Sequence, residues 1–207
     1  MKLFLASEAK HPESLKKLKK FVGDSFKNQR IAYIPTAANG EGYGAWKGGE
    51  SVKVVKSLGA NLTIVELEAS NFADIYTPLK QASIIWFAGG QTGYLLYWLR
   101  RVKLDKLLPK LLKDGKIYVG SSAGSMAASK TQFVSEWHLG EPEPGASLLP
   151  GLGLVDFEIY PHYEEKLLPR IKKRWKKGKL YLLKDGEAIT VIDGTVAVLG
   201  KQQVLKK

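Results

Sequence analysis

The pentapeptide Gly120-Ser121-Ser122-Ala123-Gly124 places a serine midway between two glycines, directly after the apolar run Ile117-Tyr118-Val119. This spacing suits a strand that reverses sharply into a helix and holds one hydroxyl exposed above a sheet. The flanking backbones must then pass very close, which is why the positions two before and two after need glycine. Ser122 has glycine at both places; its neighbours Ser121 and Ser125 do not. Backbone N–H groups at the helix start, beginning with Ala123, would face an oxyanion developing on a carbonyl attacked by Ser122. The same pentapeptide also suits a plain strand-to-helix turn packed with small residues.

A serine nucleophile needs a base within hydrogen-bond reach. The chain has three histidines. His11 stands beside a proline near the N-terminus and His138 falls in an irregular stretch. His162, in Glu-Ile-Tyr-Pro-His-Tyr, follows an apolar run and a stiffening proline and is the best placed base. Asp185 and Glu187, two apart in Lys-Asp-Gly-Glu-Ala, are the candidates for the acid that orients it. On an extended segment both would face one side. A second glycine feature, Gly89-Gly90 in Phe-Ala-Gly-Gly-Gln-Thr-Gly, ends one apolar run and opens a helical pattern. Its amides are free to bind an anion or a carbonyl oxygen.

These residues need a scaffold, and the patterning supplies one. Residues 2–6, 30–37, 61–67, 83–89 and 116–121 read as short strands rich in β-branched and aromatic residues. Helix-like spacing fills 12–27, 46–58, 72–81 and 93–113 between them. The alternation predicts a mostly parallel sheet flanked by helices on both faces. Ligands of such sheets bind beyond the carboxyl ends of the strands, where both glycine features lie. After residue 130 the rhythm breaks into a Pro- and Gly-rich excursion. A strand through 155–163, a basic helix over 164–177 and three short strands punctuated by Asp-Gly follow, a short antiparallel C-terminal ending. No linker divides residues 1–207, so one domain is expected.

Composition narrows the chemistry. The chain has 207 residues, 44% hydrophobic and 25% charged, as in ordinary globular domains. It has no cysteine, which removes disulfides, thiolate metal sites and a cysteine nucleophile together. No stretch reaches the ~18 apolar residues that span a bilayer, and the N-terminal apolar run is too short for a signal peptide. A cytoplasmic protein without membrane contact is expected. The net charge of +12 raises the question of nucleic acid. The lysines, however, alternate with apolar residues at helical spacing, as on the solvated faces of amphipathic helices, and no nucleic-acid motif accompanies them.

Taken in order, the Gly-Gly-Gln-Thr-Gly turn, the Gly-Ser-Ser-Ala-Gly-Ser elbow, the run Gly151–Tyr163 and the closing Leu182–Gly200 resemble the peptidase E and cyanophycinase family of serine peptidases. The resemblance extends from about residue 30 to 200. It implies a class I glutamine amidotransferase-like fold and a serine hydrolase that cleaves short peptides, most simply a dipeptidase preferring N-terminal aspartate. It places the nucleophile on Ser122, the base on His162 and the oxyanion donors on Gly90 and Ala123. The triad acid falls on Asp185, where many members carry glutamate; Glu187 is the fallback. Gly89 and Gln91 are expected to line the substrate. Neither metal nor organic cofactor is implied, and the protein would act as a monomer or homodimer.

An N-terminal aspartate needs a cation to pair with it. Arg170 and Arg174, four apart and therefore on one helical face, are the expected carboxylate clamp, although both also suit a solvated basic helix. A cyanophycinase-like activity would instead need acids for guanidinium groups, and Glu136, Glu141 and Glu143 are available. A non-catalytic binding protein that keeps the fold is the alternative from another class. The chain order also bears on the fold: an α/β-hydrolase runs Ser, acid, His, whereas Asp185 and Glu187 follow both downstream histidines. Glu136, Glu141, Glu143, Asp156 and Glu158 lie between Ser122 and His162, and Ser, His, acid is the simpler fit.

Overall fold

The computed structural model describes residues 1–68, 71–201 and 203–207. Ten strands are present among them: β1 (Lys2–Ala6), β2 (Arg30–Ile34), β3 (Asn61–Ile64), β4 (Ile84–Phe87), β5 (Ile117–Ser121), β6 (Glu158–Tyr160), β7 (Lys179–Leu182), β8 (Ala188–Ile192), β9 (Thr195–Leu199) and β10 (Val204–Lys206). The helices are α1 (Pro12–Phe21), α2 (Thr36–Asn39), α3 (Glu50–Ser57), α4 (Phe72–Gln81), α5 (Thr92–Arg101), α6 (Leu104–Lys113), α7 (Ala123–Met126), α8 (Phe133–Trp137) and α9 (Leu168–Arg174).

Seven strands form the main sheet in the order β3-β2-β4-β5-β1-β8-β9. The first five are parallel; β8 and β9 run antiparallel at one edge. Strand residues alternate between two cores, as a period of two requires. Leu3, Leu5, Ile34, Ile85 and Phe87 pack on the face covered by α4, α5 and α6. Phe4, Ile31, Tyr33 and Trp86 pack with Leu18 of α1 and Val52 and Val55 of α3 on the other. The mostly parallel α/β architecture read from the sequence is present.

Three differences from the sequence reading matter. The span 93–113 is two helices, because Lys103 adopts a left-handed conformation (φ 59°) between α5 and α6. Hydrophobic spacing is continuous across it, so periodicity alone does not reveal the break. The basic stretch 164–177 is helical only over a short 3₁₀ turn, Glu165–Leu167, and α9. The C-terminal strands do not form one antiparallel run. A hairpin joins β8 and β9 through Asp193-Gly194, both at positive φ, the turn that Asp-Gly favours. By contrast β7 leaves β8 altogether and joins a second sheet, β10-β7-β6. Asp185-Gly186 is therefore the crossing between two sheets, where a side chain can stand above the end of the main one.

The elbow itself is set by close packing. Ser122 has φ 47° and ψ −109°, a conformation that L-residues adopt rarely and that costs of order 1–3 kcal/mol. A Cβ at Gly120 would lie 2.7 Å from the Gly124 carbonyl carbon, and one at Gly124 would lie 2.5 Å from the Phe87 carbonyl oxygen. Both obstacles are backbone, so neither can swing aside. The Tyr118 hydroxyl donates to the Gly124 carbonyl (2.6 Å) and the Ser125 hydroxyl to Ala6 (2.7 Å), tying α7 to β5 and β1. Gly124→Ala should lower stability by about 1–3 kcal/mol, read as a lower urea midpoint at unchanged slope. An unchanged midpoint would mean that the turn has room to spare.

Candidate active site

Three chain segments meet above the carboxyl ends of β1 and β5. The imidazole of His162 lies with Nε2 3.0 Å from Ser122 Oγ and Nδ1 2.8 Å from Asp185 Oδ1. His162 arrives from β6 of the second sheet, after Pro161, and its own φ is 53°. Asp185 arrives from the crossing between β7 and β8. The acid accepts only, so Nδ1 carries the proton toward Asp185 and Nε2 is left as the lone pair facing the serine hydroxyl.

The electrostatics of the imidazole are balanced between two effects. Burial works against its charged form. The hydrogen bond and charge of Asp185, helped by Glu141 and Glu8, outweigh burial and raise the His162 pKa above its ordinary value of 6.5. The bond to His162 in turn holds the Asp185 carboxyl below its ordinary value, against the opposing effect of burial and with further help from Ser7. A histidine that gains basicity from a carboxylate while keeping Nε2 free for a hydroxyl proton has the electronics of a general base.

The other sequence candidates fall into place around this chain of bonds. Glu187, the alternative acid, accepts from the backbone amides of Lys184 (2.9 Å) and Lys201 (2.7 Å) and so holds the turn that carries Asp185. His138 bonds the Pro161 carbonyl through Nε2 (3.1 Å) and stacks on Tyr160, and burial lowers its pKa. It supports the residue before His162. His11 caps α1 by accepting from the Glu13 amide. Ser121 accepts from the Ala9 amide (3.0 Å) and Ser125 donates to Ala6, so both neighbours of Ser122 are engaged in the scaffold.

Gly90, at φ 129°, packs so tightly that a Cβ would meet the Ala37 carbonyl at 2.3 Å; a Cβ on Gly89 would touch Ser122 Cβ at 3.4 Å. The Gln91 amide donates to Ala37 (2.9 Å) and fixes the turn. Two cavities open here, about 220 and 330 Å³, and they share Glu41, Gly90, Ser122 and Glu141. Gln91 lines the first and Gly89 the second. Ala123 is buried at the start of α7, directly after the serine.

Charge around the cavities is mostly negative. Glu8, Glu41, Glu50 and Glu141 line them, with Lys10 as the cation, paired to Glu8 at 3.1 Å. Glu143 also lines the first cavity, with its two oxygens accepting from the Thr92 (2.7 Å) and Gly93 (2.8 Å) amides at the start of α5. Glu136 accepts from Gly145 and Ser147 (2.8 and 2.9 Å) and pins the same loop. Arg170 and Arg174 are not brought to Ser122. They share a different groove with Trp137, Lys173 and Lys176. Their four-residue spacing is helical as expected, but spacing does not say which way α9 faces.

One contributor escaped sequence reasoning. Ser7 is fully buried just after β1; its hydroxyl donates to Asp185 Oδ1 (2.8 Å) and accepts from the His162 amide (2.7 Å). A serine in Leu-Ala-Ser-Glu matches no motif, and only the strand order brings it between the other groups.

Comparison with known proteins supplies the family. Residues 3–199 match the model of peptidase family S51. An uncharacterized peptidase of Pasteurella multocida is 31% identical over 163 residues, 78% of this chain and 77% of that protein. Peptidase E of a Nostoc species is 28% identical over 201 residues, 90% of this chain and 78% of that protein. A peptidase E-type crystal structure from Listeria monocytogenes superposes with a TM-score of 0.79 at 25% identity, covering 95% of this chain and 96% of that one. The chain belongs to peptidase family S51 and is a serine peptidase.

Proposed function

We propose that this peptidase cleaves short peptides through Ser122, His162 and Asp185 by way of an acyl-enzyme. The observation that carries the reading is the continuous chain of bonds from Ser122 Oγ through the imidazole to Asp185. Ser122 Oγ attacks the scissile carbonyl while its proton passes to His162 Nε2. Asp185 holds the tautomer and stabilises the imidazolium. The Gly90 and Ala123 amides receive the negative charge that develops on the carbonyl oxygen. The imidazolium then protonates the leaving amine, and a water deprotonated by the same Nε2 hydrolyses the ester.

Cavities of this size are at or below the small end of the ~300–1,000 Å³ usual for ligand pockets, which supports di- and tripeptides as substrates. The finer expectation, a dipeptidase for N-terminal aspartate, came from the family resemblance, with Arg170 and Arg174 as its expected carboxylate clamp. With those side chains in another groove, Lys10 is the cation lining the cavities, and Glu8 already holds it. An acid-lined cleft favours a neutral or cationic N-terminal residue by simple charge complementarity. Glu141 is the observation that favours the cyanophycinase-like alternative, since it lines both cavities while Glu136 and Glu143 are occupied with backbone amides.

Three outcomes check these statements. In a di- and tripeptide library, Ser122→Ala should lose turnover by roughly 10⁴-fold or more while its unfolding transition stays cooperative; retained turnover would remove Ser122 from the chemistry. The rate should fall as pH falls, because protonated His162 accepts no proton. The midpoint of that acid limb should lie above the ordinary histidine value in the wild type and move to lower pH in Asp185→Asn, where the hydrogen bond and charge that oppose burial most strongly are lost. Equal midpoints would mean that Asp185 does not set the base. Finally, Ala-X and Lys-X should be cleaved at least as fast as Asp-X, with Arg170→Ala indistinguishable from wild type. A marked Asp-X advantage abolished by Arg170→Ala would restore the arginine clamp.

A further inference from the structure

The sheet order explains why one residue can reach everything in the site. Strand β1 lies between β5, which ends at the elbow, and β8, which begins just after Asp185. The residue that follows β1, Ser7, therefore borders both the elbow and the turn that carries Asp185. Its carbonyl accepts from the Ser122 amide (3.0 Å), alongside that of Ala6 (3.1 Å), and its amide donates to the Glu187 carbonyl (3.1 Å). Its hydroxyl makes the bonds to Asp185 and to the His162 backbone already described.

The direction of those two hydroxyl bonds is fixed by chemistry. A backbone N–H can only donate, so the Ser7 oxygen must accept from His162. Its single proton is then left for the Asp185 carboxylate, which can only accept. The hydroxyl thus aligns two residues that come from different sheets. It also meets the amide of His162 at its positive φ, a conformation with a cost of its own for a residue with a Cβ.

We infer that Ser7 is the positioning residue of the catalytic machinery: it locks the carboxylate rotamer of Asp185 and the backbone of His162 to each other and to the Ser122 turn. This rests on the proposed roles of those three residues. The Ser7 hydroxyl touches none of the reacting atoms and acts only through Asp185 and His162, while its backbone carbonyl holds the Ser122 amide. Replacing Ser7 with alanine leaves the His162 amide without its acceptor and the carboxylate with one donor fewer. The imidazole can then drift from the serine, and a displacement of about 1 Å at a reacting group is worth roughly 10²-fold in rate.

The test is a double-mutant cycle read in two ways. Steady-state kinetics of Ser7→Ala should show kcat lowered by roughly 10²-fold with KM nearly unchanged. The rate of Ser122 modification by a fluorophosphonate should fall in parallel. In an Asp185→Asn background the further effect of Ser7→Ala on that rate should shrink to a few-fold at most, because groups acting through one another are not additive. Ser7→Cys, which keeps a weak donor and acceptor at similar volume, should recover part of the loss. Full kcat in both Ser7 variants, or the same fold-loss with and without Asp185, would overturn the inference. Those results would leave the serine mechanism standing, whereas retained turnover in Ser122→Ala would remove the mechanism and this inference together.

Discussion

The site depends on one steric constraint, the strained turn at Ser122. A residue with a Cβ at φ 47° and ψ −109° persists only if its surroundings allow no alternative. Here they do not: Gly120 and Gly124 bring the start of α7 against β5 and against the Phe87 carbonyl of β4. The Ser122 amide is fixed by the Ala6 and Ser7 carbonyls, while the Ser121 hydroxyl accepts from Ala9 just after β1 and the Ser125 hydroxyl donates to Ala6 at its end. What remains free on Ser122 is its hydroxyl, raised above the sheet toward the imidazole.

The partners of Ser122 come from a different layer of the molecule. His162 and Asp185 both flank the small sheet β10-β7-β6, which packs with α8 and α9 around Tyr160, Ile171, Trp175 and Leu182. Met126 of α7 belongs to the same cluster, so the helix that follows the serine is buried against the unit that carries the base. Burial of several large side chains, each contributing about 1.5–3 kcal/mol, holds the histidine in register with the elbow. The irregular excursion after residue 130 adds the cleft wall and is itself clamped by Glu136 and Glu143.

The local parts of this arrangement were legible in the sequence and the non-local parts were not. Ser122 could be named because its glycines are its near neighbours and their steric role is intrinsic to the turn. His162 followed from scarcity, three histidines with one well placed, whereas the residues alone left Asp185 and Glu187 both open and only the family resemblance favoured Asp185. Ser7 was invisible because its importance arises from the strand order, with β1 between β5 and β8, which no local pattern encodes. The Asp-Gly pairs illustrate the same limit. Asp193-Gly194 makes the hairpin that such a pair predicts, while Asp185-Gly186 carries the chain between sheets. Arg170 and Arg174 share a helix face as their spacing requires, yet the orientation of α9 is decided by Ile171 and Trp175 packing inward.

The central claim is that Ser122 is the nucleophile activated by His162. The most direct measurement is mass-spectrometric mapping of the residue modified by a fluorophosphonate, in the wild type and in His162→Ala. The account expects a single adduct on Ser122 in the wild type and its near disappearance in the variant. An adduct on Ser121 or Ser125, or labelling of Ser122 at the same rate without His162, would contradict it.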